Sequence, residues 1–278
     1  MTSKAFQKKI WDFYKKNKRE LPWRKTRDPY RILVSEIMLQ QTQVERVIPK
    51  YKDFLKKFST VEKLAKAKQS EVLKLWLGLG YNRRALYLKR TAETIVSKHK
   101  GKFPKTIVEL EELPGVGPYT AGAIATFAYN QSHVFIETNI RSVFIHEFFS
   151  HPLPASPSGR GRGNAKVSDN QLLPLIEKTL DQKNPREWYG ALMDYGSFLK
   201  KTNPNPSKRS KHHVTQSKFK GSARELRGRI LKTVSEKPMT ESQILKLCAA
   251  DVRTTEILRS LVREGFLAKN RNIFSISA

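Results

Sequence analysis

Cysteine is almost absent from this sequence, since Cys248 is the only one among 278 residues. A single thiol excludes an internal disulfide framework, a zinc site built on several cysteines and a four-cysteine iron–sulfur cluster. Scarcity of cysteine is typical of proteins kept in a reducing compartment. We therefore predict a cytoplasmic, intracellular location.

Long apolar runs are also missing. No stretch approaches the roughly 20 apolar residues that span a bilayer. The amino-terminal segment MTSKAFQKKIWDFYKKNKRE has no apolar core of the kind found in secretory signals. We therefore expect neither a signal peptide nor a transmembrane segment.

Acidic residues are few, because 25 Asp and Glu stand against 53 Lys and Arg, which leaves a formal charge of +28. An excess of this size destabilises a compact chain through self-repulsion, so it indicates an anionic partner. Nucleic acid is the first candidate, and an anionic membrane surface is the second.

The length suggests about two domains, and most segments have helical spacing of their apolar residues. In ILVSEIMLQQTQVERVI, apolar residues recur at helical intervals. Asp28 and Pro29 precede this segment as a helix cap and a first-turn proline. Few segments alternate with a period of two, so we predict a mainly α fold.

Changes in composition divide the chain into a core over 1–200, a basic linker over 201–221 and a small carboxy-terminal domain over 222–278. Within the core, residues 151–166 (HPLPASPSGRGRGNAK) lack apolar periodicity and predict a mobile basic loop. The linker sequence is rich in Lys and Arg and favours contact with a polyanion. A solvated charge run is the alternative interpretation.

The carboxy-terminal domain has three helical segments followed by the alternating segment FLAKNRNIFSIS. Thr240 and Gln243 form a capping box, and Gly265 favours a helix stop. Three helices and a short hairpin predict a winged-helix-like domain. Such a domain either contacts DNA through its third helix or serves only for packing.

The segment LPGVGPYTAGA predicts an anion site. Gly115 and Gly117 permit a tight turn with unusual backbone angles, and Pro118 starts a helix where its missing N–H has no cost. The free amides at this helix end favour an anion such as a DNA phosphate. Joining two helices is the other role such a turn can have.

Together these features resemble the helix-hairpin-helix (HhH-GPD) DNA glycosylase superfamily over about residues 5–200. The resemblance implies a two-lobed helical core whose hairpin grips the DNA backbone through Gly115, Val116, Gly117 and Thr120. Several members also hold a monovalent cation on hairpin carbonyls. The segment LPWRKTRDPYRILVSEIMLQQTQVERVIPKY is similar to the signature of MutY-type adenine glycosylases.

Breaking an N-glycosidic bond requires a proton for the departing base and a negative charge near the sugar cation, as paired carboxylates supply in glycoside hydrolysis. Glu36 lies among apolar residues, where burial would raise its pKa and keep it protonated. An exposed carboxylate on the helix surface is the alternative. In the family, the glutamate matching Glu36 protonates adenine and helps to activate water.

The resemblance also assigns residues around the base. Trp23 and Arg24 match residues that line the base pocket, and the glutamines that match residues near the opened duplex are Gln40, Gln41 and Gln43.

The second carboxylate is expected in FIETNIRSVF, where Glu137 stands in place of the family aspartate, with Asn139 and Arg141 downstream as DNA contacts. The extra methylene displaces the carboxylate by about 1 Å, a shift that can change rates strongly. A helix-capping or ion-paired glutamate is the alternative interpretation.

Lyase members of the family carry a lysine nucleophile where this chain has Tyr119. The resemblance therefore implies a monofunctional enzyme that uses water. Tyr119 would contact the second carboxylate or the sugar, or simply pack in the core.

Four further features depart from the adenine glycosylases. The family cluster needs four cysteines where this chain has KKTNPNPSKRSKHH, so we expect no cofactor beyond the hairpin cation. In the DNA-contacting segment with Tyr81 and Arg83, Asn82 replaces a tyrosine that wedges into the duplex. Gly190 replaces a glutamine or glutamate of the base pocket. We also expect no counterpart of the carboxy-terminal domain with which many adenine glycosylases inspect 8-oxoguanine.

The sequence thus predicts a monomeric, DNA-binding glycosylase of base excision repair. Adenine opposite 8-oxoguanine or guanine is the first expected substrate, and thymine or uracil opposite guanine is the second. A protein that recognises lesions in duplex DNA without cleaving is the alternative of a different class, which the Glu137 substitution favours.

Overall fold

The computed structural model describes residues 1–149, 166–215 and 218–277. Most of these residues are helical, which confirms the predicted mainly α fold. The helices are α1 Ser3–Asn17, α2 Pro29–Leu39, α3 Val44–Lys57, α4 Val61–Lys66, α5 Gln69–Trp76, α6 Arg83–His99, α7 Ile107–Glu111, α8 Pro118–Tyr129, α9 Thr138–Phe148, α10 Asp169–Thr179, α11 Pro185–Thr202, α12 Ala223–Glu236, α13 Glu241–Leu247 and α14 Thr254–Arg263. The strands are β1 Met239–Thr240, β2 Leu267–Asn270 and β3 Ile273–Ile276. The predicted mobile loop lies outside the described residues, apart from Lys166.

Internal contacts divide the chain into two units. The first comprises Met1–Ile32, Lys105–Glu111 and Val116–Thr215, and the second comprises Leu33–Pro104, Glu112–Gly115 and Gln216–Ala278. Both units are therefore assembled from segments that are distant in sequence. The sequence-based division at residues 200 and 221 stays a prediction.

An aromatic core holds the first unit together. Phe6 of α1 contacts Phe144 of α9 with ring centres 5.1 Å apart, and Trp188 of α11 edge-on at 5.9 Å. Phe135 stacks on Tyr189 at 3.9 Å. Burying each such side chain contributes about 1.5–3 kcal/mol, so this core fixes α1, α9 and α11 against one another.

Part of the predicted linker is ordered within the first unit. Asn205 caps a short 3-10 helix, Pro206–Arg209, by accepting a hydrogen bond from the Ser207 amide at 3.1 Å. Ser207 and Ser210 are buried. Backbone hydrogen bonds of 2.8 and 2.9 Å then join Val167 to Arg209 and Lys211.

The carboxy-terminal segment of the second unit follows the predicted order of three helices and a hairpin. Thr240 and Gln243 form the expected capping box, and Gly265 ends α14 with a φ of +79°. The sheet has the order β1-β3-β2, in which β3 pairs antiparallel with both neighbours. Sequence reasoning missed β1 because two residues are too few to show alternation.

Glu264, at the end of α14, is bound by three side chains that donate hydrogen bonds to its carboxylate. Ser260 Oγ lies 2.6 Å away, Arg83 Nη2 2.8 Å and Arg227 Nη2 2.9 Å. Burial alone would raise the pKa of Glu264, but these hydrogen bonds hold the pKa at about 2. The carboxylate thus joins α6, α12 and α14 within the second unit.

Because of this low pKa, we predict that the ionised Glu264 carboxylate stabilises the folded protein at neutral pH and that this stabilisation is lost in acid. An unfolded glutamate has a pKa near 4.3, so the contribution is fully present above that pH and is lost as the pH falls toward 2. The difference in melting temperature between wild type and Glu264→Gln should be largest at neutral pH and should narrow on acidification. Glu256→Gln, an exposed change on α14, is the control, and a difference independent of pH would contradict the prediction.

Candidate functional site

Glu36 is positioned by the helix that the sequence predicts around it. The Asp28 side chain accepts a hydrogen bond of 2.8 Å from the Tyr30 amide, and Pro29 is the first helical residue of α2. Glu36 is only 5% exposed, between the buried Ser35 and Ile37. The predicted burial of this carboxyl is confirmed, whereas its catalytic role stays a prediction.

A buried arginine that sequence reasoning missed organises the end of α2. The Arg84 guanidinium, from α6, donates to the carbonyls of Ile37, Met38 and Gln40 at 2.6–2.9 Å. The Ile37 and Met38 carbonyls are among the last four of α2, which a helix leaves unpaired, and the Gln40 carbonyl follows directly after them. Burial lowers the pKa of Arg84 to about 10, so the side chain stays charged at neutral pH.

The predicted glutamine contacts follow this anchored helix end. Gln41 and Gln43 are exposed and Gln40 is half-buried. Gln41 has a φ of +53°, a left-handed conformation that is rare for residues other than glycine. Arg84 therefore holds a strained surface loop directly after the helix that carries Glu36.

Arg84→Lys should lower the free energy of unfolding by roughly 1–2 kcal/mol, because one ammonium cannot reproduce the fork of a guanidinium and leaves buried carbonyls unpaired. Urea denaturation measures this loss. Arg90→Lys, an exposed change on α6, is the matched control. Equal stability of the two variants would show that the Arg84 contacts are dispensable.

The glycine hairpin has one strained residue rather than two. Gly115 has a φ of +77°, and a Cβ there would lie 2.6 Å from Cβ of Tyr87. Gly117 is extended, with a φ of −100°, and precedes Pro118 as the cap of α8. The cap residue itself, a glycine, has no side chain that could pair with the first amides of α8, and the anion site at this helix end stays a prediction.

Other hairpin residues contribute by packing. Val116 is 5% exposed and Thr120 is 2% exposed. Tyr119 packs edge-on against Phe135 with ring centres 5.7 Å apart. Side chains at 116 and 120 therefore position the backbone, and any contact of theirs with DNA is made through main-chain atoms.

Glu137 is the amino-terminal cap of α9. Its carboxylate accepts hydrogen bonds from the amides of Asn139 at 2.7 Å and Ile140 at 3.0 Å, and from Asn139 Nδ2 at 3.1 Å. The side chain is half-buried, so the capping role anticipated as an alternative is present. Capping holds the carboxylate in one orientation but uses much of its acceptor capacity.

Lys200 of α11 is a neighbour of Glu137 that sequence reasoning missed. Burial lowers the pKa of this lysine, and the attraction of the Glu137 carboxylate opposes that change. The capped carboxylate therefore has a partly desolvated ammonium in its surroundings.

Arg141 is held by another carboxylate. Its guanidinium donates to both oxygens of Asp169 at 2.7 and 2.6 Å, and this pair raises the pKa of Arg141. His212 Nε2 lies 3.7 Å from the same Asp169. The DNA contact predicted for Arg141 would compete with this ion pair.

Three residues predicted for the base pocket lie in the first unit, and two of them are in contact. Arg24 Nη2 donates to the Gly190 carbonyl at 3.1 Å, and both terminal nitrogens of Arg24 bind Asp194 at 2.7 and 2.8 Å. Burial disfavours the charge of Arg24, but Asp194 outweighs it and raises the pKa. Trp23 is 8% exposed.

Asp194 holds the residues of this pocket in place. The sequence feature that could have identified it is its position four residues after Gly190. It is 3% exposed, and it also binds the side chain of Arg19. Burial would raise the pKa of Asp194, but Arg24 and Arg19 lower it further. The carboxylate thus stays ionised and fixes Arg24 beside Gly190.

Tyr14 fills the space that a side chain at position 190 would need. A Cβ on Gly190 would lie 3.1 Å from the Tyr14 hydroxyl, which donates to Glu187 at 2.9 Å. Burial raises the pKa of Tyr14, so the hydroxyl keeps its proton. A polar group from α1 therefore lies where a side chain at position 190 would begin.

Tyr81, Asn82 and Arg83 lie at the start of α6 in the second unit. Tyr81 has a φ of +46° and is 37% exposed, and Asn82 is the cap of the helix. Arg83 forms the ion pair with Glu264 described above. These three residues and Gln40 and Gln41 line one cleft.

The side chains do not fit an iron–sulfur cluster. Cys248, at the end of α13, is buried and would supply one thiolate where four are needed. Among the described residues, no group of three or more His, Cys, Asp or Glu is placed to hold a metal ion. In the same ranges, every helix is too short or too polar to span a bilayer.

The chain resembles curated DNA repair enzymes. It is 33% identical over 210 residues to the adenine DNA glycosylase of Buchnera aphidicola subsp. Baizongia pistaciae, which covers 73% of this chain and 56% of that relative. It is 36% identical over 204 residues to the adenine DNA glycosylase of Homo sapiens, which covers 70% of this chain and 36% of the relative. The chain thus spans only part of the length of these relatives.

The fold matches a solved structure as well. A thermostable thymine-DNA glycosylase superimposes with a TM-score of 0.60 at 29% identity, over 70% of this chain and 86% of that one. Residues 34–160, which contain Glu36, the glycine hairpin and Glu137, match the HhH-GPD superfamily model. The chain therefore belongs to the HhH-GPD superfamily of base excision DNA repair proteins.

Proposed function

We propose that this protein is a monofunctional DNA glycosylase that hydrolyses the N-glycosidic bond of an extruded adenine opposite 8-oxoguanine or guanine. The observation that carries the proposal is the burial of Glu36 on α2 within a segment of MutY type. A desolvated carboxyl favours its protonated form and can give a proton to a leaving base. Both relatives described above are adenine DNA glycosylases, which supports the same reaction.

The reaction requires two proton transfers. As the bond between C1′ and the base breaks, its electron pair leaves with the base, which takes the proton of Glu36. The sugar becomes an oxocarbenium ion, and the capped Glu137 carboxylate stabilises its positive charge. Water then adds to C1′ and returns a proton to Glu36, so that the carboxyl is regenerated.

Tyr119 supports the monofunctional assignment. A lyase needs an amine that forms a Schiff base with the sugar, and the residue that follows Pro118 in this hairpin has a phenol. Its ring packs against Phe135, which keeps it beside the amino terminus of α8. We therefore expect the abasic product to be released without strand cleavage.

Removal of thymine or uracil opposite guanine is the second candidate. It is favoured by the similarity to a solved thymine-DNA glycosylase, of which this chain covers 86%. Asn82 and Gly190, two of the expected departures from the adenine glycosylases, also favour this second candidate. The QQTQV segment favours adenine.

The partner is duplex DNA with a mispair or lesion, consistent with the charge of +28. We further propose that the protein acts as a monomer inside the cell.

The hairpin carbonyls are the proposed site of a monovalent cation. Thr91 already donates to one of them, that of Pro114, at 2.5 Å.

Base release from four otherwise identical duplexes tests the proposal. We expect release from A·8-oxoguanine and A·G, and no strand cleavage until the product is treated with alkali. Release from T·G or U·G but not from the adenine duplexes would replace the first candidate by the second. Tight binding without release from any duplex would favour a lesion-recognising protein that does not cleave.

A further inference from the structure

A basic cleft lies within the second unit, between the loop that follows α5 and the helix α12. We call it the α12 groove. It has a volume of about 1110 Å³ and is lined by seven Lys or Arg side chains and only two carboxylates, Glu225 and Glu264. The carboxy-terminal segment thus supplies one wall, and the segment with Tyr81 supplies the other.

The two carboxylates do not neutralise the groove. Glu264 binds Arg83 and Arg227, and Glu225 accepts a hydrogen bond of 2.6 Å from the Gly221 amide. Arg229 is exposed, 3.8 Å from Glu225. Lys232 is also exposed and forms no ion pair with a described residue. A row of cations on one helix attracts a polyanion such as a nucleic-acid backbone.

Aromatic rings lie in the same groove. The Tyr81 hydroxyl accepts a hydrogen bond of 2.8 Å from Arg224 Nη1, and the guanidinium groups of Arg84 and Arg224 lie 5.6 and 5.7 Å from the ring centre. Phe219, 61% exposed, is a second ring. An unpaired base commonly stacks on exposed aromatic rings, while the phosphates of its strand bind neighbouring cations.

Gly228 is the most informative residue of the wall. It lies in the interior of α12, where glycine costs roughly 0.5–1 kcal/mol relative to alanine, yet a Cβ there would have no neighbour within 4 Å. Packing within the chain therefore does not explain it. A glycine at this position leaves the helix backbone open to the close approach of a ligand.

We propose that the α12 groove binds a DNA strand at an unpaired nucleotide. Arg229 and Lys232 bind the phosphates, Tyr81 and Phe219 stack on the base, and Gly228 allows the strand to approach. The carboxy-terminal segment thus contacts DNA through its first helix, α12, rather than through α14, as the winged-helix pattern suggested. The inference rests on the proposed function in one respect, since extrusion of a base leaves its partner unpaired.

The first experiment removes two positive charges from α12 in one variant and two from α14 in another. The probe is a duplex with one tetrahydrofuran abasic analogue opposite guanine, which offers an unpaired base without any excision. Its Kd is measured against salt for Arg229→Gln/Lys232→Gln and for the matched pair Arg259→Gln/Arg263→Gln on α14. The α12 pair should make the log–log slope shallower by about 2 units, and the α14 pair should not change it. The reverse result, or no change in either pair, would overturn the proposal.

The second experiment separates binding from stability. Gly228→Ala and Gly228→Leu should both raise the melting temperature, since both residues favour helices over glycine. They should nevertheless weaken binding to the same probe, the leucine variant more. A leucine variant that binds as tightly as wild type would contradict the inference.

The third experiment addresses the base. Tyr81→Leu should lower the preference for the abasic probe over a fully paired duplex by roughly tenfold, the effect of losing one stack. An unchanged preference would exclude base stacking at Tyr81. Because none of these duplexes is cleaved, a protein that fails the base-release assay can still pass all three tests, so the two proposals fail separately.

Discussion

Glu36→Gln should reduce base release by roughly 10²- to 10⁴-fold, the usual contribution of a general acid, while the Kd for duplex DNA stays unchanged. The amide has nearly the shape of a protonated carboxyl but has no proton to give to the departing base. Since Glu36 is buried on α2, the substitution leaves the surface charge of the protein as it was. Single-turnover release on the best duplex of the panel measures the effect.

The control for Glu36 is Glu45→Gln, the same change at an exposed position on α3. It should release base at the wild-type rate. If Glu36→Gln also retained the wild-type rate, the proton donor would be another group. A parallel loss of rate and of DNA affinity would instead indicate a structural role for Glu36.

Gly196→Ala should lower the free energy of unfolding by about 3 kcal/mol, the upper range for an overpacked core position. Gly196 lies inside α11, directly against the amino terminus of α9. A Cβ there would overlap the carbonyl oxygen of Asn139 and lie 2.7 Å from Asn139 Cβ. Because the obstacle is backbone, α9 must move to make room.

The same displacement should reduce catalysis. Glu137 caps α9 two residues before Asn139 and binds its amide, so a shift of this helix end moves the carboxylate. A misplacement of 1 Å can cost roughly 10²-fold in rate. Urea denaturation and single-turnover release measure the two effects. Gly228→Ala is the stability control, since the same change without neighbours should stabilise the protein. A Gly196→Ala protein as stable and active as wild type would show that the α9–α11 contact tolerates a methyl group.

Local features of the fold were readable from the sequence. The cap at Asp28, the proline at 118, the Thr240–Gln243 capping box and the stop at Gly265 all lie where their chemistry predicts. Each of these signals involves residues within a few positions of one another, so the backbone geometry they impose is independent of the rest of the chain. Burial of Glu36 followed in the same way from the apolar residues of α2.

The partners of the site residues were not readable. Arg84 lies more than forty positions from the carbonyls that it caps, and Arg24 is 170 positions from Asp194. A hydrogen bond between distant residues leaves no periodic pattern, because either residue alone is equally consistent with an exposed position. Lys200 beside Glu137 and Tyr14 over Gly190 were missed for this reason.

By itself, the sequence determined the helices, the glycine hairpin and the likeness to a glycosylase family. Its net positive charge also indicated an anionic partner. The tertiary structure alone decided that Arg141 is paired with Asp169, that Tyr14 takes the space above Gly190 and that α12 joins Tyr81 in a basic groove. The physical reason is that hydrogen bonds within a helix are set by neighbouring residues, whereas a groove exists only once distant segments exclude water from their shared core.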